Sequence, residues 1–142
     1  MRLPEAEARR RFARARVLRL ATVSADGQPH LVPATFAAPA DDTLVIAVDQ
    51  KPKRHHDLKR LRNIAANDRV SALVDAYDED WTRLWWARAD GRAAILRGDD
   101  RAAPLTALAA RYPQYRADRP TGPVIAITVH RWTAWAHAEP GR

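Results

Sequence analysis

Residues 43–63 have the sequence Thr-Leu-Val-Ile-Ala-Val-Asp-Gln-Lys-Pro-Lys-Arg-His-His-Asp-Leu-Lys-Arg-Leu-Arg-Asn. The segment 43–48 is apolar on both faces, which predicts a central strand. A turn marked by proline follows at residues 51–53, and the spacing of Leu58 and Leu61 predicts a helix over about residues 54–66. A strand, a turn and a helix N-terminus together offer an anion free backbone N–H groups and a favourable helix dipole.

The turn and the helix start are strongly basic. Residues 50–63 contain six Lys or Arg, two His and a single acid, and all three lysines of the chain lie here. Cations at a helix N-terminus oppose the dipole by about 0.3–1 kcal/mol each when exposed, and a bound anion would relieve that conflict. Two interpretations stand, a phosphate site and a solvated basic face. His55 and His56 point about 100° apart on a helix, so we predict no metal site.

Composition narrows the class of protein. The chain has 142 residues, no cysteine and a net charge of +7, which predicts one domain over residues 1–142 and excludes disulfides and thiolate metal sites. No apolar run approaches the roughly 18 residues of a membrane span, and residues 1–7 lack a signal-peptide pattern. We therefore expect a cytoplasmic protein with no membrane partner. The charge permits nucleic-acid binding, but no signature motif supports it, so we expect no nucleic-acid partner.

Short turns join most of the predicted strands, which favours a mainly β protein with helices, in the α+β class. We predict six strands, over residues 17–24, 29–38, 43–48, 70–77, 82–96 and 123–129. We predict three helices, over residues 4–16, 54–66 and 100–112, and a loop over residues 111–122. The expected architecture is a six-stranded antiparallel β-barrel flanked by about three helices.

Three local patterns add detail to this fold. Asp26-Gly27 between two β-rich runs predicts a hairpin. Pro33 cannot donate to a ladder, so its strand should lie at an edge, a bulge or an open gap, and the nearby backbone is either a plain edge or a ligand contact. Trp85 and Trp86 are adjacent and should face opposite sides of the sheet, one towards the core and the other towards a ligand ring or a second subunit. A bend is expected at Asp90-Gly91.

Four segments together resemble a known family: 20–33 (Leu-Ala-Thr-Val-Ser-Ala-Asp-Gly-Gln-Pro-His-Leu-Val-Pro), 60–70 (Arg-Leu-Arg-Asn-Ile-Ala-Ala-Asn-Asp-Arg-Val), 77–81 (Tyr-Asp-Glu-Asp-Trp) and 84–91 (Leu-Trp-Trp-Ala-Arg-Ala-Asp-Gly). Their order is similar to that of the pyridoxamine 5′-phosphate oxidase-like (PPOX class) split β-barrels. Within them, the actinobacterial flavin/deazaflavin oxidoreductases that use coenzyme F420 are the most similar. The resemblance covers nearly the whole chain. It implies an FMN-binding-protein-like split barrel and a homodimer with two cofactor sites at the subunit interface.

The resemblance also implies which residues bind the cofactor. The turn and helix start would hold its phosphate through Lys51, Lys53, Arg54, Lys59, Arg60 and Asn63. The isoalloxazine-like ring would lie along the backbone at Pro33, Ala34 and Thr35, near Val48, Asp49 and Gln50. Trp85 or Trp86 would form a wall of the ring or substrate pocket.

The implied function is an F420-dependent oxidoreductase that passes a hydride to a small electron-poor organic substrate. The basic path that continues to Arg62 suits the polyanionic tail of F420, and FMN is the alternative cofactor. No counterpart of the pyridoxal-phosphate-binding C-terminal region of the oxidases is found, so vitamin B6 oxidation is not expected. No catalytic side chain is assigned. A non-catalytic cofactor or tetrapyrrole binder and a basic nucleic-acid-binding protein are the competing hypotheses.

Overall fold

The computed structural model of the protein describes residues 1–48 and 55–138. For residues 55–58 it describes the backbone but not the side chains. Its helices are α1 (Glu5–Arg14), α2 (His55–Ala66), α3 (Ala102–Arg111) and α4 (Pro113–Ala117). Its strands are β1 (Arg2–Leu3), β2 (Leu18–Val23), β3 (Pro29–Ala34), β4 (Ala37–Ala40), β5 (Thr43–Ala47), β6 (Arg69–Ala76), β7 (Trp85–Leu96) and β8 (Val124–Ala136). Short 3-10 turns precede β7 and α3.

The described residues form eight strands, so the prediction of six was wrong in number. The predicted strand 29–38 is divided at Thr35-Phe36 into β3 and β4, because both backbone polar groups of Phe36 bond to a tyrosine hydroxyl instead of a neighbouring strand. The eighth strand is the short β1, which pairs with β8. β8 itself runs on to Ala136, because β1 and β7 both pair with its second half.

The described helices number four where three were predicted. The extra helix, α4, lies in the segment 111–122 that was predicted as a loop. The backbone of Tyr112 is extended, with φ of −120°, which ends α3. Pro113 then occupies the first turn of α4. Backbone N–H groups in a first turn have no partner within the helix, so the N–H that proline lacks is not needed there.

Every strand pair in the described sheet is antiparallel, as predicted. The order along the sheet is β3-β2-β6-β7-β8-β5-β4, with β1 added at β8. The path is open, and β3 lies at one end of it. The strand that contains Pro33 is therefore an edge strand, which confirms the expectation from its missing donor.

The inner face of the sheet encloses the main core. One buried cluster contains Leu20 from β2 and Ile46 from β5, which stand near opposite ends of the strand order, so the sheet curves around this core. The ring of Phe12 from α1 is fully buried and packs edge-on against Phe36 and Trp132, with ring centroids 5.4 Å apart in both pairs. Such geometry adds roughly 0.5–1.5 kcal/mol per pair beyond area burial.

The outer face is covered at one end only. There, Leu105 and Leu108 of α3 pack on Val45 and Val124 and form a second, smaller core. Across β3, β2, β6 and β7 the outer face carries apolar side chains that remain in part accessible, and Leu31 is 66 % exposed. Among residues 1–48 and 55–138, no helix has the length and apolar character needed to cross a membrane.

The register of β7 against β8 shifts at Asp90-Gly91, the position where a bend was predicted. Asp90 pairs with Arg131 but Gly91 pairs with Val129, so His130 is an extra residue and β8 carries a β-bulge. A Cβ on Gly91 would lie 2.1 Å from the carbonyl oxygen of Thr128. Only glycine therefore fits this close approach of the two strands.

Candidate functional site

Helix α2 carries a buried polar contact to the β2–β3 hairpin. The side-chain amide of Asn63 donates to Thr22 Oγ1 over 3.0 Å, and both residues are 4 % exposed. His30 on β3 stands directly opposite Thr22 in the hairpin register and is half-buried. The predicted phosphate-binding residue Asn63 thus points at the start of β3, the strand whose far end carries Pro33 and Ala34.

Two predicted cations lie on the same part of α2. Arg60 stands one turn before Asn63 and is 8 % exposed, an uncommon degree of burial for arginine. Lys59 is half-buried and acts electrostatically on Asp26 in the hairpin turn. The pKa of Asp26 is lowered first by the Ser24 hydroxyl and then by backbone N–H groups, with a smaller contribution from Lys59. Asn63 and Lys59 therefore meet the turn end of the hairpin.

Five of the predicted cofactor contacts cannot be compared with the structure, because they lie outside the described residues. They are the phosphate contacts Lys51, Lys53 and Arg54 and the ring neighbours Asp49 and Gln50, whose assignments stay predictions. The residues on either side of this segment, up to Val48 and from His55 onwards, are described. Val48 is fully buried in the main core and its N–H donates to the carbonyl oxygen of Pro123 over 2.9 Å. The side chain and the N–H of Val48 are therefore already engaged within the protein.

The predicted ring contacts lie along the edge strand. Pro33 is exposed and Ala34 is half-buried at the end of β3, where Pro33 pairs with Arg19. Small side chains and a missing N–H let another group approach this edge closely. Ala34 lies four residue steps along the strand from His30, a span of roughly 13 Å at 3.3 Å per residue. The hairpin edge is thus long enough for a ligand with a ring at one end and a phosphate at the other.

Two tyrosines that the sequence analysis did not identify fix the end of this edge. The hydroxyl of Tyr115 lies 2.8 Å from Thr35 Oγ1. The buried Tyr112 donates from its hydroxyl to the carbonyl oxygens of Phe36 and Arg16, each over 2.8 Å, and accepts from the Phe36 N–H over 3.2 Å. A tyrosine pair at i, i+3 around Pro113 is the signal that could have indicated this role.

Arg111 reinforces the same connection from α3. Its guanidinium donates to the carbonyl oxygen of Phe36 over 3.1 Å and to that of Ala15, and it stacks 4.7 Å from the centre of the Phe36 ring. Burial lowers the pKa of Arg111, which still leaves it charged. Thr35, a predicted ring contact, and the adjacent Phe36 are thereby held by hydrogen bonds from the α3–α4 region.

The two adjacent tryptophans face opposite sides of the sheet, as predicted. Trp85 packs against the main core and lies under the guanidinium of Arg11, 5.1 Å from its ring centre. Trp86 stands opposite Asp75 and Trp135 in the register and stacks with Arg88 at 5.7 Å. None of the contacts between described residues links either ring to Pro33–Thr35, so a role beside the cofactor ring stays a prediction.

The described part of the chain thus contains a polar end at α2 and the hairpin turn, and an edge-strand end fixed by α3 and α4. Among the described residues, no group of three or more His, Asp or Glu side chains could hold a metal ion. The arrangement offers cations, a buried amide and open backbone, which are groups that bind and orient an anionic ligand.

A sequence profile described as pyridoxamine 5′-phosphate oxidase matches residues 4–136. No functionally curated protein matches the chain. A FAD-binding protein from Mesorhizobium loti is similar in structure, with a TM-score of 0.74 and 22% identity over 94% of this chain and 95% of that one. A conserved hypothetical protein from Mycobacterium tuberculosis has a TM-score of 0.72 and 24% identity over 99% and 89%. The heme storage protein HutZ from Vibrio cholerae has a TM-score of 0.71 and 17% identity over 96% and 95%.

Proposed function

Because the chain belongs to the pyridoxamine 5′-phosphate oxidase family, we propose that it is an F420-dependent oxidoreductase acting on a small electron-poor organic substrate. The observation that carries this proposal is the buried Arg60–Asn63 side of α2, which meets the hairpin whose edge strand is open to a ligand. FMN is the alternative cofactor for the same site.

The polar end of the site supports an anionic cofactor. A guanidinium binds a phosphate through strong charge-assisted hydrogen bonds. Arg60 is buried near the C-terminal end of the basic run, and Asn63 adds a side-chain amide whose position is fixed by its hydrogen bond to Thr22. Lys59 remains partly accessible beside them. These side chains would hold the phosphate of the cofactor and raise its local concentration.

The edge-strand end supports a flat ring. Thr35 and Phe36 are fixed by hydrogen bonds from α3 and α4, so a ring lying along β3 meets a preorganised surface. Preorganised contacts cost less ordering entropy when a ligand binds. F420, when bound, supplies hydride transfer at C5 of its deazaflavin ring, and the residues of the chain position that ring and exclude water.

F420 is preferred over FMN on the basis of charge. FMN ends in a phosphate, whereas F420 continues from a phosphodiester into an oligoglutamate tail. Arg62 is exposed on α2, about 200° around the helix from the buried Arg60, and we propose that it adds a second cation for a ligand that extends beyond the phosphate. A long polyanion gains from such an extended surface, while a terminal phosphate needs only the first part of it.

The proposal includes a homodimer. The outer face of β3, β2, β6 and β7 carries Leu31, which is 66 % exposed, and the half-buried Leu73 and Trp86. An exposed large apolar side chain on an otherwise ordered sheet is typical of a contact surface. We propose that a second copy covers this face, which would place the edge strand β3 and its ligand beside the subunit interface.

A non-catalytic tetrapyrrole binder is the second candidate. It is supported by the similarity of the fold to the heme storage protein HutZ. The two functions differ in what they require of a bound group. An enzyme must let a substrate reach the cofactor, whereas a storage protein only has to retain its ligand.

The test is an anaerobic assay with chemically reduced F420 and a panel of quinones, nitroaromatics and conjugated carbonyl compounds. The proposal expects oxidation of F420 that needs both protein and acceptor. The matched reaction with reduced FMN distinguishes the alternative cofactor. Heme binding together with no turnover in either reaction would overturn the enzyme assignment and favour the tetrapyrrole binder.

A further inference from the structure

The β-bulge in β8 turns two consecutive side chains to the outer face. Val129 and Trp132 are buried at 5 % and 7 % exposure, so both face inwards. Between them, His130 and Arg131 are both exposed, which regular alternation along a strand would not allow. Bulges recur beside ligand sites because they redirect side chains in this way.

The bulge opens a groove of about 320 Å³ on the outer face, referred to below as the bulge groove. That volume lies at the lower end of the range of small-molecule sites, roughly 300–1,000 Å³. The bulge groove is lined by Arg69, Val70, Ser71, Asp90, Gly91, Arg92, His130 and Arg131. Gly91, between Asp90 and Arg92 on β7, contributes no side chain to the groove.

The cations of the bulge groove are only partly neutralised. Arg92 pairs with Asp68 over 2.7 Å, and Asp90 is held by Arg88 over 3.1 Å and by the Ser71 hydroxyl over 2.6 Å. Each of these two acids is therefore matched by one arginine. Arg69 and Arg131, in contrast, have no carboxylate within ion-pair distance among residues 1–48 and 55–138. Two guanidiniums and His130 remain to face the groove.

From this arrangement we propose that the bulge groove is a binding site for a dianionic oxyanion group, a phosphate or a dicarboxylate, of a small molecule. Guanidinium groups bind such oxyanions through paired N–H donors, and two of them match two negative charges. The single carboxylate in the groove, Asp90, is already engaged by Ser71 and Arg88 and so repels the ligand less.

The site is separate from the proposed cofactor site. The groove lies on the outer face of β6, β7 and β8, whereas Asn63 reaches Thr22, whose side chain is buried. An anion bound in the groove therefore needs no contact with α2. The groove lies on the outer face of β6 and β7, which the proposed homodimer contact also uses, so an anion bound there would lie at or beside that contact. The inference does not rest on the cofactor assignment, and either can fail without the other.

The experiment titrates the full chain, without cofactor, with inorganic phosphate and separately with succinate, at constant ionic strength set by chloride. Imidazole C–H resonances are followed by NMR, and the variant His130→Ala assigns the signal of His130. We expect a saturable shift of the His130 signal. Arg69→Gln with Arg131→Gln should weaken that binding at least about tenfold, because both charge-assisted contacts are lost.

Two control variants test whether the anion binds in the bulge groove. Arg14→Gln with Arg97→Gln removes the same charge from exposed positions elsewhere and should change the affinity less than about twofold. Lys53→Ala with Lys59→Ala should leave the His130 shift intact. A shift that does not saturate, or an equal loss in the Arg14/Arg97 variant, would overturn the proposal. Phosphate and succinate are distinguished by which of them saturates at lower concentration.

Discussion

The amide of Asn63 on α2 donates to Thr22 Oγ1 on β2 over 3.0 Å, inside a region where both side chains are 4 % exposed. This hydrogen bond connects α2, which carries the second half of the basic run, to the β2–β3 hairpin, whose strand β3 ends at Pro33 and Ala34. It fixes the position of one predicted phosphate contact among the described residues. The role of this hydrogen bond can be tested by measuring the free energy of unfolding of variants, without any ligand.

Thr22→Val should destabilise the fold by about 1–3 kcal/mol, because the Asn63 amide is left buried without its acceptor. Adding Asn63→Leu to that variant should recover much of the loss, since replacing both polar partners with apolar groups is often nearly neutral. Urea unfolding followed by tryptophan fluorescence measures both. If the single variant is as stable as the wild type, the hydrogen bond has no role in holding α2 on the hairpin.

Lys53→Ala with Lys59→Ala should weaken cofactor binding about tenfold or more while leaving the melting temperature nearly unchanged. Lys59 is half-buried at the proposed phosphate end, and Lys53 belongs to the basic run outside the described residues. Arg14→Gln with Arg97→Gln is the control, because it removes two cations from exposed positions. Unchanged affinity in the lysine variant would rule out the phosphate assignment.

Tyr115→Phe should lower cofactor affinity about two- to tenfold, since one hydrogen bond to Thr35 is worth about 0.5–1.5 kcal/mol. The hydroxyl of Tyr115 holds Thr35 Oγ1 at 2.8 Å, next to the proposed ring surface. Tyr77→Phe removes the same group from a side chain that is 74 % exposed and should have no effect. Equal affinities for wild type and Tyr115→Phe would show that Thr35 does not shape the site.

Leu31→Glu should convert the proposed homodimer into a monomer, because a charge would be placed at the centre of an apolar contact. Sedimentation equilibrium at micromolar concentration measures the change. Ala103→Glu adds the same charge to an exposed position on α3, the helix that covers the other end of the outer face, and should leave the dimer intact. A wild-type protein that sediments as a monomer would contradict the interface.

Asp42→Asn should lower the melting temperature at neutral pH and have little effect in strong acid. Hydrogen bonds from Trp132 over 2.7 Å and from Arg9 lower the pKa of Asp42 below its ordinary value of 3.8. Because the pKa of Asp42 is lower in the folded than in the unfolded state, its ionised carboxylate stabilises the fold above the unfolded-state pKa. That stability is lost as the pH falls through the folded-state pKa. Asparagine keeps the φ of +60° found at this position accessible. Thermal unfolding from pH 7 to about pH 2 therefore should show the two proteins converging.

Local chemistry predicted much of the fold. The hairpin at Asp26-Gly27, where Gly27 has φ of +90°, follows from a turn type that requires glycine. The edge position of Pro33 follows from its missing donor, and the register shift at Gly91 coincides with the predicted bend. Each of these features depends on residues close together in the chain, so the sequence pattern was sufficient.

The division of the second predicted strand could not be predicted in this way. It depends on Tyr112, which lies 76 residues from Phe36 and supplies the bonds that a neighbouring strand would otherwise make. The same holds for the site. The basic run was visible in the sequence, but the contact between Asn63 and Thr22 spans 41 residues. The bulge groove also requires the register of β7 against β8, which no local pattern encodes.

The most direct test of the account is a titration of the purified protein with F420 and, separately, with FMN, followed by intrinsic tryptophan fluorescence. The account predicts saturable quenching with micromolar affinity for F420 and weaker or no binding of FMN. Preference for FMN would assign the protein to the flavin-dependent branch of the family. No binding of either cofactor would contradict the proposal that the Arg60–Asn63 end of α2 and the edge strand β3 form a cofactor site.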